Sequence, residues 1–214
     1  MVSHFFAYIS KLRWIARWGL KRNTIQENVM EHSWEVATIA HVLALVRKRC
    51  YGGDIDPNAV ATAALYHDCS EVITGDLPSP VKYHSPDIQS AYHSIERAAE
   101  RELVALLPDS LRKDFERVMV EESLPVAHRQ LIKAADTIAA YLKCQAELKA
   151  GNREFEKAAE EIKRRLSAYE LPEVDYFMTT FAPSYQLTLD ELLLRRGKNG
   201  ELSEHERQLL AVHE

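Results

Sequence analysis

With 214 residues, 46% of them hydrophobic and 28% charged, the chain has the size and composition of one globular domain with a sizeable core. Its 27 basic and 32 acidic side chains leave a net charge of −5, which argues against a binder of nucleic-acid polymers with a basic face. No apolar run approaches the ~18 residues of a membrane span, and no basic-then-apolar leader opens the chain. The three cysteines form no CxxC and read as free thiols in a reducing compartment, so the expected location is cytoplasmic.

Only seven glycines and eight prolines interrupt long helical periodicities, and no alternating strand pattern of useful length appears; the chain reads as all-α. Phe5/Phe6, Ile9, Leu12 and Ile15/Ala16 predict a first amphipathic helix running into the basic, aromatic connection Arg17-Trp18-Gly19-Leu20-Lys21-Arg22. Composition alone makes Arg17-Trp18 a surface cation beside a core tryptophan. The functional alternative is a phosphate clamp next to a flat surface for a sugar or base. Glu31-His32-Ser33 opens the next helix, whose inward stripe is Val36, Ile39/Ala40, Leu43 and Val46; His32 lies four residues before Val36 and projects into that face.

Asp56-Pro57 is an N-cap followed by proline at the first helical position. It starts a helix expected to run through Ala59–Gly75, carrying Tyr66-His67-Asp68-Cys69-Ser70-Glu71. Burying an adjacent His-Asp pair in an alanine-rich segment is unfavourable unless both are paired or bound to a metal. On one helix His67 and Asp68 would flank a common edge, with Glu71 one turn on as a free carboxylate. Such a pair could equally be a hydrogen-bonded cap. Next, Asp76-Leu77-Pro78-Ser79-Pro80-Val81-Lys82 is expected to form a stiff, extended loop, either a simple turn or one wall of a substrate pocket.

Three more amphipathic helices follow, over Pro86–Leu107, Leu111–Glu122 and Ala127–Ala150. Asp136 lies beside the inward stripe of the last, where a carboxylate needs either a metal or a lysine or arginine from another helix. Glu154–Tyr169 is a charged amphipathic helix, and Tyr176 to Leu194 supplies apolar packing for the core or a dimer partner. Beyond a polar break at Arg195–Gly200, Ser203-Glu204-His205-Glu206 is a capping box that starts a last short helix.

The order His32 … His67-Asp68 … Asp136 resembles the metal-binding signature of the HD-domain phosphohydrolases. Ser3-His4-Phe5-Phe6, Arg17-Trp18, Glu27-Asn28-Val29, Glu31-His32-Ser33, Tyr66-His67-Asp68 and Ser70-Glu71-Val72 are further similar to the bacterial 5'-deoxynucleotidase YfbR family. So are Thr74-Gly75-Asp76-Leu77-Pro78, Pro80-Val81-Lys82-Tyr83, Ala134-Ala135-Asp136, Tyr141-Leu142-Lys143-Cys144 and Asp175-Tyr176-Phe177-Met178, with Ser79 standing where threonine is expected. The resemblance implies an all-α HD-domain helical bundle over residues 1–194; the polar extension over 195–214 has no counterpart in it.

It also implies one divalent metal, cobalt foremost and manganese or another first-row ion as alternatives, held by His32, His67, Asp68 and Asp136. Glu71 would be the catalytic carboxylate. Arg17 and Trp18 would contact substrate, and the loop of Asp76, Leu77, Pro78 and Ser79 would meet the deoxyribose and exclude a 2'-hydroxyl. The implied reaction is hydrolysis of a deoxyribonucleoside 5'-monophosphate by a homodimer, with a metal-bound water as nucleophile. An HD hydrolase of another nucleotide (a triphosphate or an alarmone) and a catalytically silent nucleotide sensor are the competing readings. The first would favour several more basic residues near the site; the second would be expected to lose a ligand or Glu71.

Overall fold

A computed structural model describes residues 2–193, and among these the regular structure is entirely helical. The expected C-terminal extension with its capping box lies outside the described residues.

Two long helices, α2 (Val29–Cys50) and α8 (Val126–Lys149) in chain order, pack against each other and against α3 (Pro57–Leu65). Asn28 caps α2 by accepting from the Glu31 amide at 3.0 Å, and Arg47, Lys48 and Arg49 occupy its last turn, where they complement the helix dipole. Asp56 caps α3 by accepting from the Asn58 amide at 2.9 Å, with Pro57 in the first turn. Ala37, Ala40, Ala44, Ala63, Ala64, Ala134, Ala135 and Ala139 are all buried in the core that these three helices share. Such small side chains let the backbones approach closely, so polar groups from α2, α8 and the turn that follows α3 can meet at one point. Leu43, Leu131 and Ile138 fill the remaining space, and Ile162 and Leu166 of α9 (Glu156–Ser167) with Val174 and Phe177 of α10 (Pro172–Thr180) close it. Each such fully buried aliphatic or aromatic side chain contributes about 1.5–3 kcal/mol.

A second, smaller core joins Phe5 of α1 (Phe5–Ile9), Leu103 and Val104 of α6 (Pro86–Ala105), Met119 of α7 (Asp109–Met119) and Cys69. The stretch from Ala63 to Cys69 therefore has one end in each core.

That stretch departs from the continuous helix expected over Ala59–Gly75. α3 stops at Leu65, and regular helix resumes only at α4 (Glu71–Thr74). The cause is local competition. In an unbroken helix the Ala64 carbonyl would receive the Asp68 amide; here it accepts the His67 amide at 3.4 Å and His67 Nδ1 at 2.8 Å. The amides of Cys69, Glu71 and Val72 likewise bond three residues back. His67 and Asp68 thus sit on a tight turn, not on a helix face.

The first helix is also shorter than its periodicity suggests. After α1 the chain tightens into a 3-10 turn over Ser10–Trp14, and Ile15 is extended. Ala16 then pairs with Asn28 in an isolated antiparallel bridge, with the Arg17 amide donating to the Glu27 carbonyl and the Val29 amide to the Ile15 carbonyl, both at 3.0 Å. Gly75 ends α4 at φ +70, a conformation that glycine adopts without steric cost. The proline loop is extended only as far as Pro78; Ser79–Lys82 forms a single helical turn, α5, because Pro80 falls where a missing amide is tolerated.

Candidate active site

Four side chains from α2, the tight turn and α8 converge. His32 is 1% exposed. Its Nε2 lies 3.2 Å from Asp136 Oδ1 and 3.6 Å from Asp68 Oδ2, and His67 Nε2 lies 3.1 Å from that same Asp68 oxygen. One atom each from His32, His67 and Asp68 falls within 4.8 Å of the others. Because a carbonyl only accepts, the His67 Nδ1 bond to Ala64 fixes a proton on Nδ1, so the neutral ring presents a lone pair at Nε2. A lone pair directed at a carboxylate oxygen is repulsive unless a cation stands between them. Both Nε2 atoms are buried without a hydrogen bond, which for a buried polar atom costs about 1–3 kcal/mol. Two imidazoles and two carboxylates suit a divalent first-row ion without selecting one. The residues present fit a metal.

Charge is arranged around this cluster in layers. Arg17 Nη1 lies 3.3 Å from Asp68 Oδ2 and its Nε 3.6 Å from Glu27 Oε1. Lys133, one turn before Asp136 on α8, donates to Asp136 Oδ2 at 2.9 Å. The cationic partner expected from another helix thus comes from the same one, in addition to His32. Burial works against ionisation of Asp68 and Asp136, but His67 beside the first and Lys133 beside the second outweigh it and hold both well below the usual carboxylate range. For His32, burial and Arg17 push downward, while Asp136 and Glu27 prevail and raise it to about 9.

Glu71 is the exception. It is 8% exposed, and its Oε2 has no hydrogen-bond partner. Burial first, then the Asp68 and Asp76 charges, push its carboxyl up to about 10. Half-buried Asp76 is also raised, by burial ahead of its neighbours, against the pull of Arg17.

A cavity of about 340 Å³ opens beside His67, Asp68 and Asp136 and carries Lys82, Tyr83, His93, Arg129 and Lys133 on its walls. Arg17, Glu71, Asp76, Leu77, Pro78 and Ser79 are not on those walls; α5 instead carries Lys82 there, followed by Tyr83. Trp18 is also off the wall. Its ring packs edge-on against Phe155 at 5.3 Å between centroids, and its Nε1 donates to Glu27 Oε2 at 2.8 Å. Its backbone has φ +60, a strained conformation for a bulky residue.

Sequence reasoning assigned no role to Glu27, Lys133, His93 or Lys82. The Lys133–Asp136 spacing of three on a helix was a usable signal. Glu27 lies in an irregular segment where no periodicity points inward.

The family model for YfbR-like 5'-deoxynucleotidases matches residues 4–185. The chain is 47% identical over 190 residues to a 5'-deoxynucleotidase of Vibrio atlanticus (strain LGP32), covering 89% of this chain and 98% of that protein. A 5'-deoxynucleotidase of Yersinia pestis (strain Pestoides F) is 47% identical over 193 residues, covering 90% and 98%. Among solved structures, an HD-domain phosphohydrolase from Listeria innocua superposes with a TM-score of 0.74 at 23% identity, over 85% of this chain and 88% of that one. The cyanophage S-2L HD phosphohydrolase, bound to dA and one catalytic Zn2+ ion, superposes with a TM-score of 0.60 at 24% identity, over 85% and 96%. Both share the helical fold around their aligned cores. With its family match running through both cores and the converging turn, the chain belongs to the YfbR-like 5'-deoxynucleotidase family.

Proposed function

We propose that this protein is a metal-dependent 5'-deoxynucleotidase that hydrolyses deoxyribonucleoside 5'-monophosphates to deoxyribonucleoside and phosphate. The observation that carries the reading is the convergence of two imidazole Nε2 atoms that make no hydrogen bond and two carboxylates beside Arg17. His32, His67, Asp68 and Asp136 would hold the ion. When bound, a divalent cation there supplies Lewis acidity, which acidifies water and offsets phosphate charge. Cobalt is the metal we favour; the cyanophage neighbour carries zinc, and the donor set accommodates either.

Arg17, held between Asp68 and Glu27, is the residue to neutralise the phosphate and orient it by bidentate contact. Glu71 is the proton-transfer group. Almost fully buried with a free Oε2, it would position or deprotonate the attacking water, or pass a proton to the departing 5'-oxygen. Trp18 and the Asp76–Ser79 segment would shape the sugar end of the site, with Asp76 addressing the 3'-hydroxyl and the segment leaving no room for a 2'-hydroxyl. We further read residues 1–194 as the catalytic unit, acting in the cytoplasm as a homodimer.

The test is phosphate release from matched deoxy- and ribonucleoside 5'-monophosphates, using metal-stripped protein with cobalt, manganese, zinc or magnesium added back. Release from the deoxy member alone, and only with metal, is the expected result. Equal rates on both members would remove the Asp76 segment from substrate choice. No release from either would refute the activity.

A further inference from the structure

Glu27 takes no direct part in the reaction as drawn above, yet it touches Arg17, Trp18 and His32. Its side chain is 10% exposed. Oε1 lies 3.3 Å from His32 Nδ1 and 3.6 Å from Arg17 Nε, charge contacts in which neither nitrogen makes a hydrogen bond, while Oε2 accepts the Trp18 indole N–H at 2.8 Å. The backbone fastens the same corner: the Glu27 carbonyl accepts the Arg17 amide at 3.0 Å, and the next residue, Asn28, bridges to Ala16 and caps α2.

We propose that Glu27 is a positioning residue that couples the metal ligand His32 to the phosphate-binding Arg17 and to Trp18. The inference rests on the reading of His32 as a metal ligand. The physical reason lies in the two imidazoles. His67 is oriented by a neutral acceptor, the Ala64 carbonyl, whereas His32 has a carboxylate at its Nδ1. With a metal ion between His32, Asp68 and Asp136, a carboxylate there would keep the ring's proton on Nδ1, leave Nε2 to the ion, and make the ring the more basic ligand. The second carboxylate oxygen holds Trp18 in its strained φ +60 backbone, which sets the direction in which adjacent Arg17 leaves the chain. One charge thus orients a metal ligand and the phosphate cation together.

The variant Glu27→Gln keeps the size of the side chain but loses the charge, and its single acceptor oxygen cannot serve both His32 and Trp18. Cobalt affinity, measured by chelator competition on stripped full-length protein, is expected to fall about 10–100-fold. The melting temperature of the stripped variant should stay within about 4 °C of the parent, equivalent to about 1 kcal/mol for a chain of this length. Trp18→Phe, which removes the indole donor and part of the ring packed on Phe155, should leave cobalt affinity unchanged and raise KM.

A parent that binds no cobalt would refute the metal reading itself. A parent that binds it, with Glu27→Gln binding equally well, would overturn the role of Glu27 alone. Weakened binding accompanied by a large loss of melting temperature would also overturn it, making Glu27 a structural prop. Should Glu27→Gln fail to fold, Glu27→Asp is read in its place: the charge retreats by one methylene, and affinity is expected to fall about tenfold, at the mild end of the same range.

Discussion

Replacing Glu71 by glutamine should make the metal-stripped protein more stable while removing most turnover. The carboxyl is almost fully buried, with an unpartnered Oε2, and burial together with Asp68 and Asp76 raises it from 4.5 to about 10. A carboxyl raised in the native state contributes its full stability below pH 4.5 and loses it progressively as pH climbs toward 10. At pH 7 the unfolded chain has released this proton and the native state has kept it. About 2.5 pH units separate that condition from the unfolded value, at about 1.4 kcal/mol each, so ionisable Glu71 destabilises by about 3 kcal/mol. A glutamine at this position has no proton to retain and escapes this cost, apart from the desolvation of its own amide.

The assay is urea unfolding of stripped parent and Glu71→Gln at several pH values between 5 and 9. The stability of the variant relative to the parent should grow by about 1.4 kcal/mol for each pH unit, because every other titrating group is common to both. A difference that does not change with pH would show that Glu71 is ionised in the native state and would refute the reasoning. The combination of added stability and lost activity is what a strained, functional carboxyl predicts.

Asp68→Ala should lose its bound metal; stoichiometric metal by elemental analysis after gel filtration would exclude Asp68 as a ligand. Glu147→Ala should destabilise by about 3–5 kcal/mol in urea, because it leaves buried Lys143 unpaired. It also frees the Thr24 and Ile25 amides, which Glu147 accepts at 2.9 and 3.0 Å, so KM should rise as the segment carrying Arg17 loosens. Although burial opposes it, Lys143 and the other donors hold the Glu147 carboxyl down to about 2, so the parent's advantage is complete above pH 4.5 and should fade as pH falls toward 2. Gly75→Ala meets open space but must adopt φ +70 with ψ 167, a region essentially restricted to glycine, so a loss of about 1–3 kcal/mol in thermal or urea unfolding is expected, with a higher KM through the adjoining Asp76.

Periodicity alone determined that the chain is helical, that His32 joins the buried face defined by Val36 and Ile39, and that Asp136 stands beside the buried stripe of α8. These are repeating preferences summed over many turns, so a linear pattern carries them. The caps Asn28 and Asp56 bond within three residues and belong to the same local level, though the sequence pattern pointed only to the second. The break at Leu65 is local too, yet periodicity missed it: a single His67 side chain takes the carbonyl that the helix needed, a contest decided by bond geometry and not by hydrophobic spacing.

Only the tertiary structure decided the rest. The Ala16–Asn28 bridge, the seat of Trp18 on Phe155 and the meeting of Glu27 with His32 and Arg17 all depend on segments folding back on one another. A charged residue in an irregular segment acquires its partner from where the chain is led, and that path is set by the packing of two separate cores, not by the residues on either side.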